Sequence, residues 1–381
     1  MGLAEMFTMR CWACSMTGDF ANAARYLEES VQHGRQLNVE ALMAFGLAHK
    51  ANMLTHMTRF DEVETTAREG LQLVNEIGDL QHKAELLAYP IPFNHLRNGN
   101  LDAARRAAEE GFAIARKINL ASAESSTTFT LGVIARLRGE YAQALAYFEQ
   151  AQTAAHDPSL VYYEAGALGG LGLVYVDISE TLVERSIAYH AQALKLLDTP
   201  MGALGGGFAW ADIGFCFLSA GNVERAGELF QKGLTAPAPH GLLNRPRYLL
   251  GLAYVALARE QFDEAGRLVG EARQYVMERG MKHLAPETAL AEARVAEARG
   301  DWDGALEQYA QAEAGALPMT LRPVVWQARA GAAKVLRMQS RKGEAEAKRD
   351  AAHAAVDEIA ALFTDDNLRS PFVASARRKI G

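Results

Sequence analysis

The stretch Gly139-Glu140-Tyr141-Ala142-Gln143-Ala144 decides the reading of this chain, because its pattern returns along the whole length. Equivalent phrases are Gly18-Asp19-Phe20, Arg59-Phe60-Asp61, Gly99-Asn100-Leu101, Gly221-Asn222-Val223, Gln261-Phe262-Asp263 and Gly300-Asp301-Trp302, with weaker copies at Val183 and Lys342. Taking Tyr141 and its counterparts as anchors gives positions 20, 60, 101, 141, 183, 223, 262, 302 and 342, spaced by 39 to 42 residues. Self-similarity at a fixed period of this size is the signature of a repeat architecture, in which each unit buries its apolar face only against its neighbours.

Two columns of small residues follow the anchors. Three residues on stand Ala23, Val63, Ala104, Ala144, Ser186, Ala226, Ala265, Ala305 and Ala345. Ten residues on stand Ser30, Gly70, Gly111, Ala151, Ala193, Gly233, Ala272, Ala312 and Ala352. These columns lie seven residues apart, two turns of helix, so they share one face and let a neighbouring helix come close. Nine residues before the anchors, a third and mostly small column runs through Cys11, Ala51, Pro92, Gly132, Val174, Gly214, Ala253, Ala293 and Ala333. Each unit therefore reads as helix A, a tight turn and helix B. Nine units make about 18 antiparallel helices.

Small residue, turn glycine, aromatic, then alanine at three and ten resembles the tetratricopeptide repeat. The period of about 40 exceeds the roughly 34 residues usual for that repeat. It is similar to the long-helix type found in kinesin light chains, in maltose-type transcription activators and in bacterial cyclase-like signalling ATPases. The resemblance implies an all-α solenoid, a right-handed superhelix of about nine helical hairpins over residues 1–362, with a short helical tail over 363–381. It also implies binding rather than catalysis. In such regulators a nucleotide-binding domain lies upstream, and no Gly-x-x-x-x-Gly-Lys-[Ser/Thr] occurs in this chain.

Composition agrees. Of 381 residues, 49% are hydrophobic and 22% charged, enough apolar mass for a folded core. The net charge of −7 argues against a direct nucleic-acid binder. Three cysteines build no disulfide framework, no run of about 18 apolar residues spans a membrane, and a cytoplasmic setting is expected.

Chemistry-bearing motifs are sparse. Cys11-Trp12-Ala13-Cys14 is a C-x-x-C without a second pair, and Cys11 falls in a packing column. The ten histidines include no His-Glu-x-x-His, and His49 and His56 have no carboxylate at matching spacing. Gly205-Gly206-Gly207 reads as an inter-repeat loop. No catalytic residues, cofactor or metal are expected. Eight residues before the anchors, however, stand Trp12, Asn52, Phe93, Val133, Tyr175, Phe215, Tyr254, Arg294 and Lys334. Four residues earlier, one helical turn away, stand Tyr89 and Phe129 among others. In the tetratricopeptide family the column eight before the anchor faces the concave groove. The candidate partner site is thus Trp12, Tyr89, Phe93, Phe129, Tyr175, Phe215, Tyr254, Arg294, Lys334 and Arg337. The expected ligand is a protein or peptide, with a small-molecule effector as the second reading. Ordinary core packing of the same rings is the competing one.

Overall fold

The computed structural model describes residues 6–7, 9–11, 14, 19–155, 160–198, 200–236 and 240–381, without the side chains of 200–208, 240 and 241. Every anchor is the first residue of a helix. These B helices are α1 Phe20–Leu37, α3 Phe60–Ile77, α6 Leu101–Ile118, α8 Tyr141–Ala154, α10 Val183–Leu197, α12 Val223–Thr235, α14 Phe262–Glu278, α16 Trp302–Ala316 and α18 Lys342–Ala360. In seven of them the turn before the helix is built by a residue two before the anchor in the left-handed region. Gly99, Gly139, Gly221 and Gly300 take it at φ 75° to 81°, and Thr58, Glu260 and Ser340 stand in for glycine at φ 57° to 61°. The next residue often caps the helix. The side chains of Asp19, Asn100, Asn222 and Asp301 each accept a hydrogen bond from the backbone N–H three residues on.

The A helices are α2 Glu40–His56, α4 Leu80–Ala88 with α5 Pro90–Arg97, α7 Ala121–Leu137, α9 Val161–Ile178, α11 Pro200–Ser219, α13 His240–Ala258, α15 Ala285–Ala298 and α17 Arg322–Met338. Pro90 breaks the A helix of the third repeat. Tyr89 turns away from helical geometry at φ −142°, and Pro90 starts a new helix where its missing N–H costs nothing. The expected loop at Gly205-Gly206-Gly207 is instead inside α11. α9 and α11 pack closely, with the Cα of Ala209 3.4 Å from the place a Cβ on Gly169 would take. A final helix, α19 Asp366–Ile380, is capped by Asp365 through the N–H of Asn367 at 2.8 Å.

The small columns are the packing surface. Ala23, Val63, Ala104, Ala144, Ser186, Ala226, Ala265 and Ala305 are 0% exposed, and Ala345 is buried as well. Successive A helices pack on one another, whereas successive B helices at most graze each other. The A helices therefore line the concave side and the B helices the convex one.

The solenoid also meets itself after five repeats. α2 of the second repeat touches α13 of the seventh. Phe93 of the third meets His283 of the eighth edge to face. Arg322 of the ninth donates to the carbonyl of Arg138 in the fourth, 184 residues away, at 3.0 Å. Ser375 of α19 donates to Glu180 in the turn of the fifth at 2.5 Å. One apolar cluster runs through both turns, joining Phe60, Phe93 and Tyr141 to Leu284, Phe363 and Phe372. The anchors record the closure. Phe60, Leu101 and Tyr141 in the covered first turn are buried, while Phe262 and Trp302 in the second turn are half-buried and Lys342 is exposed.

Candidate functional site

The A helices line the concave face, and contacts between the two turns cover part of it. Burial raises the hydroxyl pKa of Tyr162 well above that of a free tyrosine, although Tyr162 is 37% exposed. Burial likewise raises Tyr89, Tyr163 and Tyr254, all half-buried. Tyr162 and Tyr163 pack with ring centroids 4.0 Å apart and form the aromatic part of this face with Tyr89 and Phe129.

A ladder of polar pairs between successive A helices forms the other part. Arg136 of α7 meets Asp177 of α9 at 2.6 Å. Asp212 of α11 meets Arg247 of α13 at 2.6 Å. Arg294 of α15 donates to Gln327 of α17 at 2.6 Å. Burial works to lower the pKa of Arg136, but Asp177, with Asp212 and Glu287 behind it, outweighs this and raises it. Arg136 and Arg294 therefore stay charged between the A helices.

The expected residues divide. Trp12 lies outside the described residues. Phe93 and Tyr175, at 9% and 8% exposure, do not join an exposed stripe. Phe93 is covered by Phe60 and by His283 of the next turn, and Tyr175 stacks on Tyr189 beneath Arg185. Phe129, Phe215 and Tyr254 remain half-buried. Phe215 and Tyr254 face each other across α11 and α13 with centroids 6.5 Å apart, and Arg294 lies 5.2 Å over the Tyr254 ring. The expected run of free positive charge is not there as such. Lys334 is paired with Glu297, and Arg337 donates to the carbonyl of Ile380 at 3.4 Å. Arg294 and Lys334 do share a cleft of about 410 Å³ with Glu297, Trp302 and Met338. The polar ladder was missed because its members lie in different repeats. Its only mark in the sequence is opposite or complementary residues 33 to 41 positions apart, close to one period.

No protein-family model and no curated protein matches the sequence. Solved structures match by shape. A Rap protein complexed with competence and sporulation factor aligns at TM-score 0.68 and 11% identity, over 94% of this chain and all of the other. The chain thus shares the all-α solenoid fold of that protein. A signal transduction ATPase with numerous domains and a tetratricopeptide repeat sensor, from Pyrococcus horikoshii, aligns at 0.52 and 12% identity, over 88% of this chain and 52% of that one. Aspartyl phosphate phosphatase F from Bacillus subtilis aligns at 0.50 and 14% identity, over 93% and 94% of the two chains. Among the described residues of the solenoid, no helix is long and apolar enough to cross a membrane.

Proposed function

We propose that this solenoid is a non-catalytic binding scaffold, the regulatory or sensor arm of a bacterial signalling ATPase or transcription regulator. Its ligand is a protein segment or peptide held on the concave face. The observation that carries the reading is the Tyr162–Tyr163 ring pair, centroids 4.0 Å apart, with Tyr162 exposed and with Tyr89, Phe129 and Tyr163 half-buried on A helices. Aromatic rings in water-depleted pockets are the usual anchors of binding energy. Arg136, Arg247 and Arg294, each held by a residue of an adjacent A helix, keep further N–H groups suited to the backbone carbonyls or carboxylates of an extended chain. The full-length match to a Rap protein that was solved with a bound factor supports the same use of the fold.

A small-molecule effector is the second reading. The cleft between Arg294, Lys334, Trp302 and Met338 favours it, because its volume of about 410 Å³ suits a metabolite.

Competition binding against a peptide library and a metabolite panel tests both. Tyr162→Ala and Tyr254→Ala should each weaken a peptide ligand by roughly 5- to 150-fold, about 1–3 kcal/mol. Retained affinity in both variants refutes the concave-face reading. Metabolite binding that is lost in Lys334→Ala but kept in Tyr162→Ala replaces it with the second.

A further inference from the structure

Adjacent A helices bring together a set of side chains that neither helix shows alone. His49 stands on α2, and His82 and Glu85 stand three residues apart on one face of α4. One ligand atom from each lies within 4.8 Å of the other two. His49 Nε2 is 3.4 Å from Glu85 Oε2. That is too long for a good hydrogen bond, but it is the separation of two ligands on a tetrahedral metal with bonds of about 2.1 Å. Bringing in the third ligand atom takes a closure of at most about 1.4 Å, within the reach of side-chain torsions on packed helices.

Two further features match what a metal needs. His82 Nδ1 is held by Asp79 Oδ2 at 2.6 Å, which fixes the ring and leaves Nε2 as the nitrogen with the lone pair. A carboxylate behind a ligating histidine is the recurrent outer-shell device of metal sites. Asp79 is itself anchored, because its other oxygen caps α4 through the N–H of His82 at 3.1 Å. Glu85 Oε2 is buried and accepts no hydrogen bond among the described residues. A buried carboxylate oxygen left in that state is costly, and a cation is the partner that removes the cost. The Phe45 ring packs against both histidines, with centroids 4.6 Å and 6.1 Å away. It closes one side of the cluster to solvent.

We propose that His49, His82 and Glu85 form a site for a late first-row divalent cation, with zinc as the best match, in which Asp79 positions His82. Two imidazoles and one carboxylate are a borderline donor set that excludes calcium and magnesium and suits zinc. Three protein ligands leave a fourth position, to be filled by water or by an anionic donor of another molecule. The inference does not rest on a peptide on the concave face.

Zinc titration against a chromophoric chelator tests it on the full chain. One equivalent should bind with a dissociation constant of micromolar or tighter. His49→Ala and His82→Ala should each weaken binding at least tenfold. Asp79→Asn keeps the helix cap and removes the carboxylate, so it should weaken binding about 10- to 100-fold without loss of helicity. The double variant Cys11→Ser, Cys14→Ser should bind as before. Cobalt in place of zinc should give visible ligand-field bands without a thiolate charge-transfer band. His49 is 38% exposed at its side chain, so His49→Gln provides a variant that folds should His82→Ala not. Absence of stoichiometric zinc, affinity unchanged by the histidine substitutions, or binding lost in the cysteine variant overturns the proposal.

Discussion

Gly111 and Gly270 provide a matched pair for testing how the repeats pack. Both lie well inside B helices, α6 and α14. Replacing glycine by alanine in an exposed helix interior stabilises by about 1 kcal/mol, because the unfolded chain loses freedom. A Cβ on Gly270 meets nothing within 4 Å, so Gly270→Ala should show that gain. A Cβ on Gly111 would sit 2.9 Å from the Cβ and the carbonyl oxygen of Leu87, and 3.0 Å from its carbonyl carbon. These are mostly backbone atoms of α4 and cannot rotate away. Relief requires α4 and α6 to part by about 0.7 Å, an overpacking that costs about 1–3 kcal/mol. After the propensity gain, Gly111→Ala should be destabilising by about 0–2 kcal/mol. The two variants should thus differ by about 1–3 kcal/mol. A repeat array does not unfold in one step, so the readout is local. Hydrogen exchange over residues 80–118 should quicken in Gly111→Ala, and exchange over 262–278 should slow in Gly270→Ala. Equal stabilisation in both would show that the small column does not set the helix spacing.

Acid should loosen the contact between turns. Burial holds His283 and His190 to a pKa of about 4, against 6.5 for a free histidine. Both stay neutral in the fold, so their effect on stability is absent above pH 6.5 and grows as pH falls towards 4. Each reaches roughly 3 kcal/mol of lost stability there. Denaturant titrations from pH 7 to 4 should show a loss that His283→Gln reduces, with faster exchange over residues 90–99; a flat profile would contradict the burial. Phe372, 1% exposed, packs on Tyr141 and Phe363 with centroids 5.7 Å and 5.5 Å away. Phe372→Ala should cost about 3–5 kcal/mol. It should also raise exchange in α8, more than 200 positions earlier in the chain; exchange confined to α19 would show that the turns are not coupled.

Much of this architecture is readable one window at a time. Glycine and its stand-ins two before the anchor locate the start of seven B helices, and an aspartate or asparagine cap stands next to the anchor in four of the repeats. The small columns identify the buried face, since a helix face of alanine and glycine admits a neighbour that larger side chains would hold off. Pro90 marks the break in the A helix of the third repeat. The cap at Asp365 marks the tail helix. All of these are local effects of backbone sterics and helix periodicity, and they recur because the unit recurs.

The candidate site was only half legible. Phe129, Phe215 and Tyr254 lie where the repeat register places them, half-buried on A helices. Phe93 occupies the same register position as Tyr254, but the second turn of the solenoid covers it. Which turn lies over which depends on the small rotation between successive repeats, summed over five of them. No short window of sequence encodes that sum, since a slight change per repeat would shift the contact by a whole unit. The same applies to His49, His82 and Glu85, and to the ladder from Arg136 to Gln327, whose members sit about one period apart on different helices. The sequence by itself determined the repeat, its helices and their packing faces, because those follow from interactions within a turn or two of helix. The tertiary structure alone decided the contact between the two turns, the covering of Phe93 and the meeting of the two histidines with Glu85, because those follow from how repeats accumulate in space.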